Sequence, residues 1–357
     1  MMLFKCQSCE QVLYFENLVC EKCSHRLGYL PKVFTMSALE PVGNLWRTLA
    51  NPERTVKFCD NARFGSCNWL IDANETEICC VACRHNRTIP DLTDTVNLTR
   101  WRRVEMAKHR LFYTLMRLNL PLRSKVDDPE HGLAFDFLAD NTSPTTPRVL
   151  TGHDNGLITI ALREADDAER ERWRVQMGEP YRSLLGHFRH EIGHYFWDVL
   201  VRDGGHIEEC RAVFGDDSQD YSSALDAYYK GGAPVNWQAN FISAYATSHP
   251  WEDWAETWAH YMHIVDTVEI AHAFGIRVRP DLAGNDVPAT DMNINPYQTS
   301  TMKEIIDAWL PLTFAVNSLN RAMGIADLYP FVLSPLVISK LDFIHHLVHA
   351  ELAPPEN

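Results

Sequence analysis

The stretch FRHEIGHYFWD, Phe188 to Asp198, decides how the chain is read. If it is helical, His190 and His194 lie one turn apart on one face, because positions i and i+4 stack on a helix. Two imidazoles so placed can share a metal ion, and Glu191, offset to the side, can reach a water on that ion. Gly193 is expected to leave space beside the metal. Leu184, Leu185, Phe188, Ile192, Tyr195, Phe196 and Val199 recur at helical spacing. They predict a helix opened by Pro180, running to about Arg202 and ended by Gly204-Gly205. The chain holds sixteen histidines, so a chance pair competes with the metal site and a third ligand has to be found.

The candidate lies in AYATSHPWEDWAETWAHYMH, Ala244 to His263. A helix starting at Pro250 has proline at its favoured first position. Trp251, Trp254, Trp258, Tyr261 and Val265 then form one apolar stripe, expected to be core. Glu252 and Glu256 stand on another face, one turn apart. A helix that buries three tryptophans is held firmly, so its carboxylates can be aimed at a partner helix. Glu252 is the expected third zinc ligand. Glu256 is expected to accept the free ring N–H of His190 or His194, and Asp253 is the alternative ligand. His206 lacks the spacing of a metzincin third histidine. His249 and His260 fit ordinary satisfied histidines better than site residues. Asp198 is left between a helix-surface charge and a support for the site.

Nine of the ten cysteines precede residue 84, which is the clearest sign of domain organisation. Cys6-Gln-Ser-Cys9 and Cys20-Glu-Lys-Cys23 are two C-x2-C knuckles with ten residues between them, the pattern of a tetrahedral four-thiolate zinc. Cys59, Cys67, Cys80 and Cys83 make a looser second set, in which Cys79 competes with Cys80. Cys79 and Cys210 otherwise fit small buried residues. So short a segment buries little core, and bound zinc contributes to its folding. The expected segments are a zinc ribbon at 1–30, a second cysteine-rich stretch at 31–95, a catalytic domain at 96–350 and a tail at 351–357.

The formal net charge of −14 opposes non-specific binding to nucleic acid and to anionic membranes. Arg100, Arg102, Arg103, Lys108 and Arg110 are expected to be a solvated helix face. MMLFKCQSCE has no apolar stretch of the kind a signal peptide needs, and no apolar run is long enough to span a bilayer. With thiols spaced for metal rather than for disulfides, a cytoplasmic protein is expected. Thr99 is expected to cap a helix to about Leu118, before Pro121. Strand-like runs cover Leu133 to Leu138 and Leu157 to Leu162, the second after the turn His153-Asp-Asn-Gly156. A charged helix covers about Asp166 to Met177. Thr301-x-x-Glu304 marks a capping box for a helix to Met323, kinked at Pro311. Ser334-Pro335 opens the last helix. Residues 278–296 form a long loop.

Tyr245, Glu252 and Glu256 stand at the spacings of the third-ligand segment of gluzincin metallopeptidases, and most resemble the catalytic domain of anthrax lethal factor. CNWL (Cys67 to Leu70), NRTIPDL (Asn86 to Leu92), FRHEIGHYFWD and HPWEDWAETWAHYMH (His249 to His263) resemble a bacterial family of zinc-binding metallopeptidases with an N-terminal zinc ribbon. That resemblance implies an α+β fold, mainly helical and zincin-like, with a small sheet and a preceding cysteine module. It implies one catalytic zinc on His190, His194 and Glu252 and one or two structural zincs. It also implies Glu191 as general base and Tyr245 as hydrogen-bond donor to the oxyanion or leaving group. The expected substrate is a peptide or protein, which could add to the edge of the strand Leu157 to Leu162. The competing function is a zinc-ribbon module that binds a protein partner, with an inactive site or one acting on a non-peptide amide.

Overall fold

The computed structural model describes residues 2–141, 147–177, 183–281 and 289–350. The fold is α+β and divides into two compact units. The first holds residues up to Tyr113 and Leu122–Glu169. The second holds Thr114–Pro121 and everything from Arg170 onward.

The first unit opens with the two cysteine knuckles. Strands β1 (Phe4–Lys5) and β2 (Val12–Leu13) flank the first knuckle and pair antiparallel. In each knuckle the residue after the second cysteine takes a left-handed conformation, Glu10 at φ 60° and Ser24 at φ 63°. Its N–H bonds back to the first cysteine's carbonyl, at 2.8 Å in both cases. An antiparallel meander follows: β3 (Arg26–Leu30), β4 (Thr35–Val42), β5 (Leu45–Thr48), β6 (Thr55–Phe58) and β7 (Leu70–Asp72). Leu30, Leu39, Val56 and Leu70 pack on it with Trp46 and Phe58. Phe15, Tyr29, Trp69 and Tyr113 form a second cluster, with Phe15 4.8 Å from Tyr29 and 5.4 Å from Tyr113, ring centre to ring centre. This sheet is a finding beyond the expected turn-punctuated cysteine segment.

A four-stranded sheet in the order β10-β11-β9-β8 is built from β8 (Asn86–Thr88), β9 (Ala134–Leu138), β10 (Gly152–Asp154) and β11 (Leu157–Ala161). The β10–β11 hairpin turns on Asn155 at φ 46° and Gly156 at φ 76°, the two left-handed residues that a two-residue hairpin requires. β11 pairs with β10 on one edge and with β9 on the other. The expectation that a peptide adds to the edge of β11 is therefore wrong, because both of its edges are already hydrogen-bonded. Helix α1 (Thr95–Arg117) starts one turn earlier than expected. Asp94 caps it, accepting from Val96 and Asn97 N–H, while the Thr99 hydroxyl lies inside the helix and bonds back to Thr95 O. Asp competes strongly with Thr at a cap, and Asp94 is the residue with free N–H groups in front of it. The charged helix α2 (Asp167–Met177) forms as expected.

The second unit is helical. Ser183 caps α3 (Leu184–Phe196), its Oγ accepting from Gly186 N–H. The expected start at Pro180 lies outside the described residues. Past Phe196 the helix widens into a π-helical turn, Trp197–Arg202, and Gly205 then reverses the chain at φ +81°. Two helices follow that the sequence did not announce, α4 (Ile207–Phe214) and α5 (Tyr221–Gly231). The central helix is α6 (Pro250–Ala273), with Trp254, Trp258, Tyr261 and Val265 buried as expected. Trp251 leaves the stripe and is only partly buried. Around α6 pack α7 (Met302–Ala322), capped by Thr301, and α8 (Pro335–Ala350). In the segment expected as a long loop, β12 (Arg277–Val278) pairs with β13 (Thr290–Asp291).

Gly193 sits where α3 crosses α6. A Cβ there would lie 3.1 Å from Ala255 Cα and 3.2 Å from Trp258 Cβ. The glycine therefore gives room to the neighbouring helix, not to a metal as expected. Trp254 Nε1 locks the crossing by donating to Gly193 O at 2.8 Å. Among the described residues no helix is long and apolar enough to cross a membrane.

Candidate functional site

The α3–α6 crossing carries the residues singled out in the sequence. His190 and His194 project from α3, and Glu252 from the first turn of α6. Each offers one ligand atom, and these three atoms lie within 4.8 Å of one another. Glu252 Oε2 is 3.0 Å from His190 Nε2, and Oε1 is 3.5 Å from His194 Nε2. Glu252 is 1% exposed, so its charge needs compensation from close by. Its Oε2 has no hydrogen-bond partner although an imidazole nitrogen is so close: the two are near but not aligned as donor and acceptor. Two ring nitrogens and a buried carboxylate oxygen converging without bonding one another fit a zinc ion between them.

The supporting contacts hold each donor in place. His190 Nδ1 lies 2.7 Å from Glu256 Oε1, and Ser243 Oγ donates to Glu256 Oε2 at 2.5 Å. In the neutral ring, as a metal ligand must be, this carboxylate fixes the His190 tautomer with its proton on Nδ1 and its lone pair on Nε2. Burial opposes charge on the Glu252 carboxyl, yet His194 and His190 outweigh it and hold the group well below the usual range. Burial likewise opposes a charged His190, and Glu252 and Glu256 outweigh it, raising the ring well above its ordinary value. Tyr221, at the start of α5, donates from Oη to Glu252 Oε1 at 2.6 Å. No motif pointed to Tyr221 or Ser243. The one trace in the sequence is Asp220, whose carboxylate caps α5 through Ser223 N–H and so fixes where Tyr221 falls. Trp251 lays its ring 3.9 Å from that of His194.

Glu191 is buried beside the two histidines, with His187 Nε2 4.0 Å away. The Tyr245 ring lies 6.0 Å from that of His190, and burial raises its phenol, helped by the charges of Glu252 and Glu256. The other candidates have different occupations. Asp253 pairs with Lys340 at 2.5 Å, both buried, and so is turned away from the histidines. His249 caps α6, its Nδ1 accepting from Trp251 N–H. His260 Nδ1 meets Tyr329 Oη at 2.6 Å. Asp198 pairs with Arg202 at 2.8 Å.

In the first unit, the sulfurs of Cys6, Cys9, Cys20 and Cys23 lie within 4.8 Å of one another, as do those of Cys59, Cys67, Cys80 and Cys83. Of the adjacent pair, Cys80 and not Cys79 joins the second cluster. Sulfur separations of 3.5 Å for Cys6–Cys23 and Cys9–Cys20, and 3.8 Å for Cys67–Cys80, are far beyond a disulfide bond. They are close to the edge of about 3.8 Å of a tetrahedron with zinc–sulfur bonds of about 2.3 Å. Both sets fit zinc.

Residues 3–94 match a family model described as a zinc-ribbon domain, and residues 97–347 match one described as "Putative zinc-binding metallo-peptidase". Uncharacterized proteins of Mycobacterium bovis and of two strains of Mycobacterium tuberculosis are each 42% identical over 352 residues, covering 98% of this chain and 96% of the relative. No solved structure matches the chain. With the family model spanning most of its length and the donor sets in place for zinc, the chain belongs to this zinc-binding metallopeptidase family with an N-terminal zinc ribbon.

Proposed function

We propose that the chain is a zinc-dependent peptidase whose catalytic metal is held by His190, His194 and Glu252. The observation that carries this is the convergence of those three donors at the α3–α6 crossing, with Glu191 beside them and Glu256 bonded behind His190. Bound by His190, His194 and Glu252, a zinc ion would supply Lewis acidity toward a water and the scissile carbonyl. Glu191 takes the water's proton and passes it to the departing amine. Tyr245 donates a hydrogen bond from its hydroxyl to the oxygen that gains charge as the carbonyl becomes tetrahedral. His190 keeps its lone pair on the metal side because Glu256 holds the proton on Nδ1. Trp251 covers one face of His194 and excludes water from it. The cysteine clusters bind structural zinc and offer a surface for a protein partner, and the protein works in the cytoplasm.

The test is a pair of substitutions read by metal content and by cleavage of a peptide library. Glu191→Gln keeps all its zinc and loses turnover by about 10²-fold or more. Glu252→Ala loses one zinc per chain and keeps those on cysteine. Equal cleavage by wild type and Glu191→Gln would sink the peptidase reading, and a full zinc complement in Glu252→Ala would sink the ligand set.

A further inference from the structure

The second cysteine cluster has a fifth donor. His109, on α1, is buried against it. Its Nε2 stands 3.3 Å from Cys67 Sγ, 3.5 Å from Cys83 Sγ and 4.0 Å from Cys80 Sγ. A tetrahedral zinc with three thiolates and one imidazole, with bonds of about 2.3 Å to sulfur and about 2.0 Å to nitrogen, sets each nitrogen–sulfur separation near 3.5 Å. The observed values straddle that figure.

The other ring nitrogen fixes the tautomer. Nδ1 lies 2.6 Å from the carbonyl oxygen of Glu105, one turn earlier on the same helix. A carbonyl only accepts, so Nδ1 carries the proton, and in the neutral ring the lone pair sits on Nε2, facing the sulfurs. A backbone carbonyl behind the distal nitrogen is the usual support of a metal-bound imidazole. The ring is also packed against Trp69, 5.1 Å from centre to centre.

We propose that His109 is a ligand of the second structural zinc. Cys67, Cys80 and Cys83 are common to two four-donor sets, one completed by Cys59 and the other by His109. Charge favours closure by His109. Zinc with four thiolates carries two negative charges, and zinc with three thiolates and a neutral imidazole carries one. The cluster is buried, where each unbalanced charge is costly. The buried cation beside it, Lys108, is already paired with Glu105 at 2.7 Å, both side chains fully enclosed. His109 lies beyond the matched ribbon residues 3–94, inside the peptidase-family segment. The ribbon's metal is thus clamped by the helix that begins that segment. The inference is independent of the peptidase reading.

The test uses the full-length chain loaded with cadmium-113 and labelled with nitrogen-15 on histidine. Cadmium in sulfur-rich sites resonates well away from cadmium held by histidine and carboxylate, so the α3–α6 site does not interfere. One sulfur-rich signal is expected to couple to a single imidazole nitrogen. His109→Gln should remove that coupling and move the signal toward the four-sulfur position as Cys59 takes over. Cys59→Ser should retain the metal. If His109→Gln fails to fold, the coupling in wild type still decides. Two sulfur-rich signals in the wild type with no nitrogen coupling would overturn the proposal, leaving His109 as a hydrogen-bond donor to a four-thiolate ion.

Discussion

At the scale of single residues, the candidate site divides into what spacing can encode and what it cannot. The i, i+4 pair His190 and His194 and the i, i+4 pair Glu252 and Glu256 are fixed by helix geometry, so they could be found in the sequence once each stretch was known to be helical. Tyr221 could not. It reaches Glu252 from 31 positions upstream, across a connection with no periodicity, and only folding brings it near. Its hydroxyl donates to Glu252 Oε1 at 2.6 Å. Tyr221→Phe removes that bond while keeping the ring packed on His249 and Trp251. We expect zinc affinity at this site to fall about tenfold, the lower end for losing a group that supports a ligand. Competition with a chromophoric chelator measures it, and the cysteine-bound zincs serve as an internal control. An unchanged affinity would mean that the phenol only fills space.

At the scale of elements, the crossing of α3 and α6 positions the chemistry. Both helices were legible because their apolar residues recur strongly at helical spacing. The role of Gly193 was not, since a glycine in a helix gives no sign of which neighbour needs the space. Ala255 Cα and Trp258 supply the reason. Gly193→Ala forces the helices apart against backbone that cannot rotate away. It should cost about 1–3 kcal/mol, as overpacking of a core does. The thermal midpoint should drop, and zinc retention at the histidine site should fall with it, because the two imidazoles and the carboxylate are on opposite sides of the gap. A variant as stable as wild type would show that the contact relaxes easily. The five-strand meander after the first knuckles was less legible. Its strands are short and carry charged or turn-forming residues such as Arg47, Glu40 and Pro41, so alternation is broken. The position of β11 inside its sheet depends on a parallel partner more than twenty residues upstream, which local pattern does not specify.

At the scale of the whole molecule, the N-terminal cysteine module was legible from the cysteine distribution, and the α+β class from the helical and strand-like runs that follow it. The division into compact units was not, because residues 122–169 return to the first unit after α1 has entered the second. Acid stability is set by groups distributed over the fold. His345 is enclosed, Nε2 lying 3.0 Å from Thr299 O and Nδ1 3.2 Å from Tyr261 Oη. Both neighbours are satisfied by a neutral ring, with Nε2–H donating to the carbonyl and the tyrosine donating to Nδ1. Burial, with His349 nearby, lowers the group to about 4. A histidine with a lowered folded pKa contributes stability above its unfolded value of about 6.5, and loses it as pH falls toward the folded value. The contribution is on the order of 2 kcal/mol. His345→Gln should therefore flatten the fall in urea midpoint between pH 7 and pH 5. Comparing variant with wild type cancels the zinc lost by both at the lower pH. Parallel curves would assign the acid sensitivity elsewhere.

Helix α5 has no buried residue, yet it supplies the phenol that holds Glu252. A surface helix with so little beneath it opens locally at small free-energy cost, well before the core yields. Each such opening releases one side of the carboxylate. Hydrogen–deuterium exchange should therefore find the amides of α5 labelling early and those of α6 late. With zinc held as proposed, the same fluctuation would set how quickly the ion leaks out, and metal lifetime would follow the breathing of a peripheral helix rather than the rigidity of the tryptophan-packed interior.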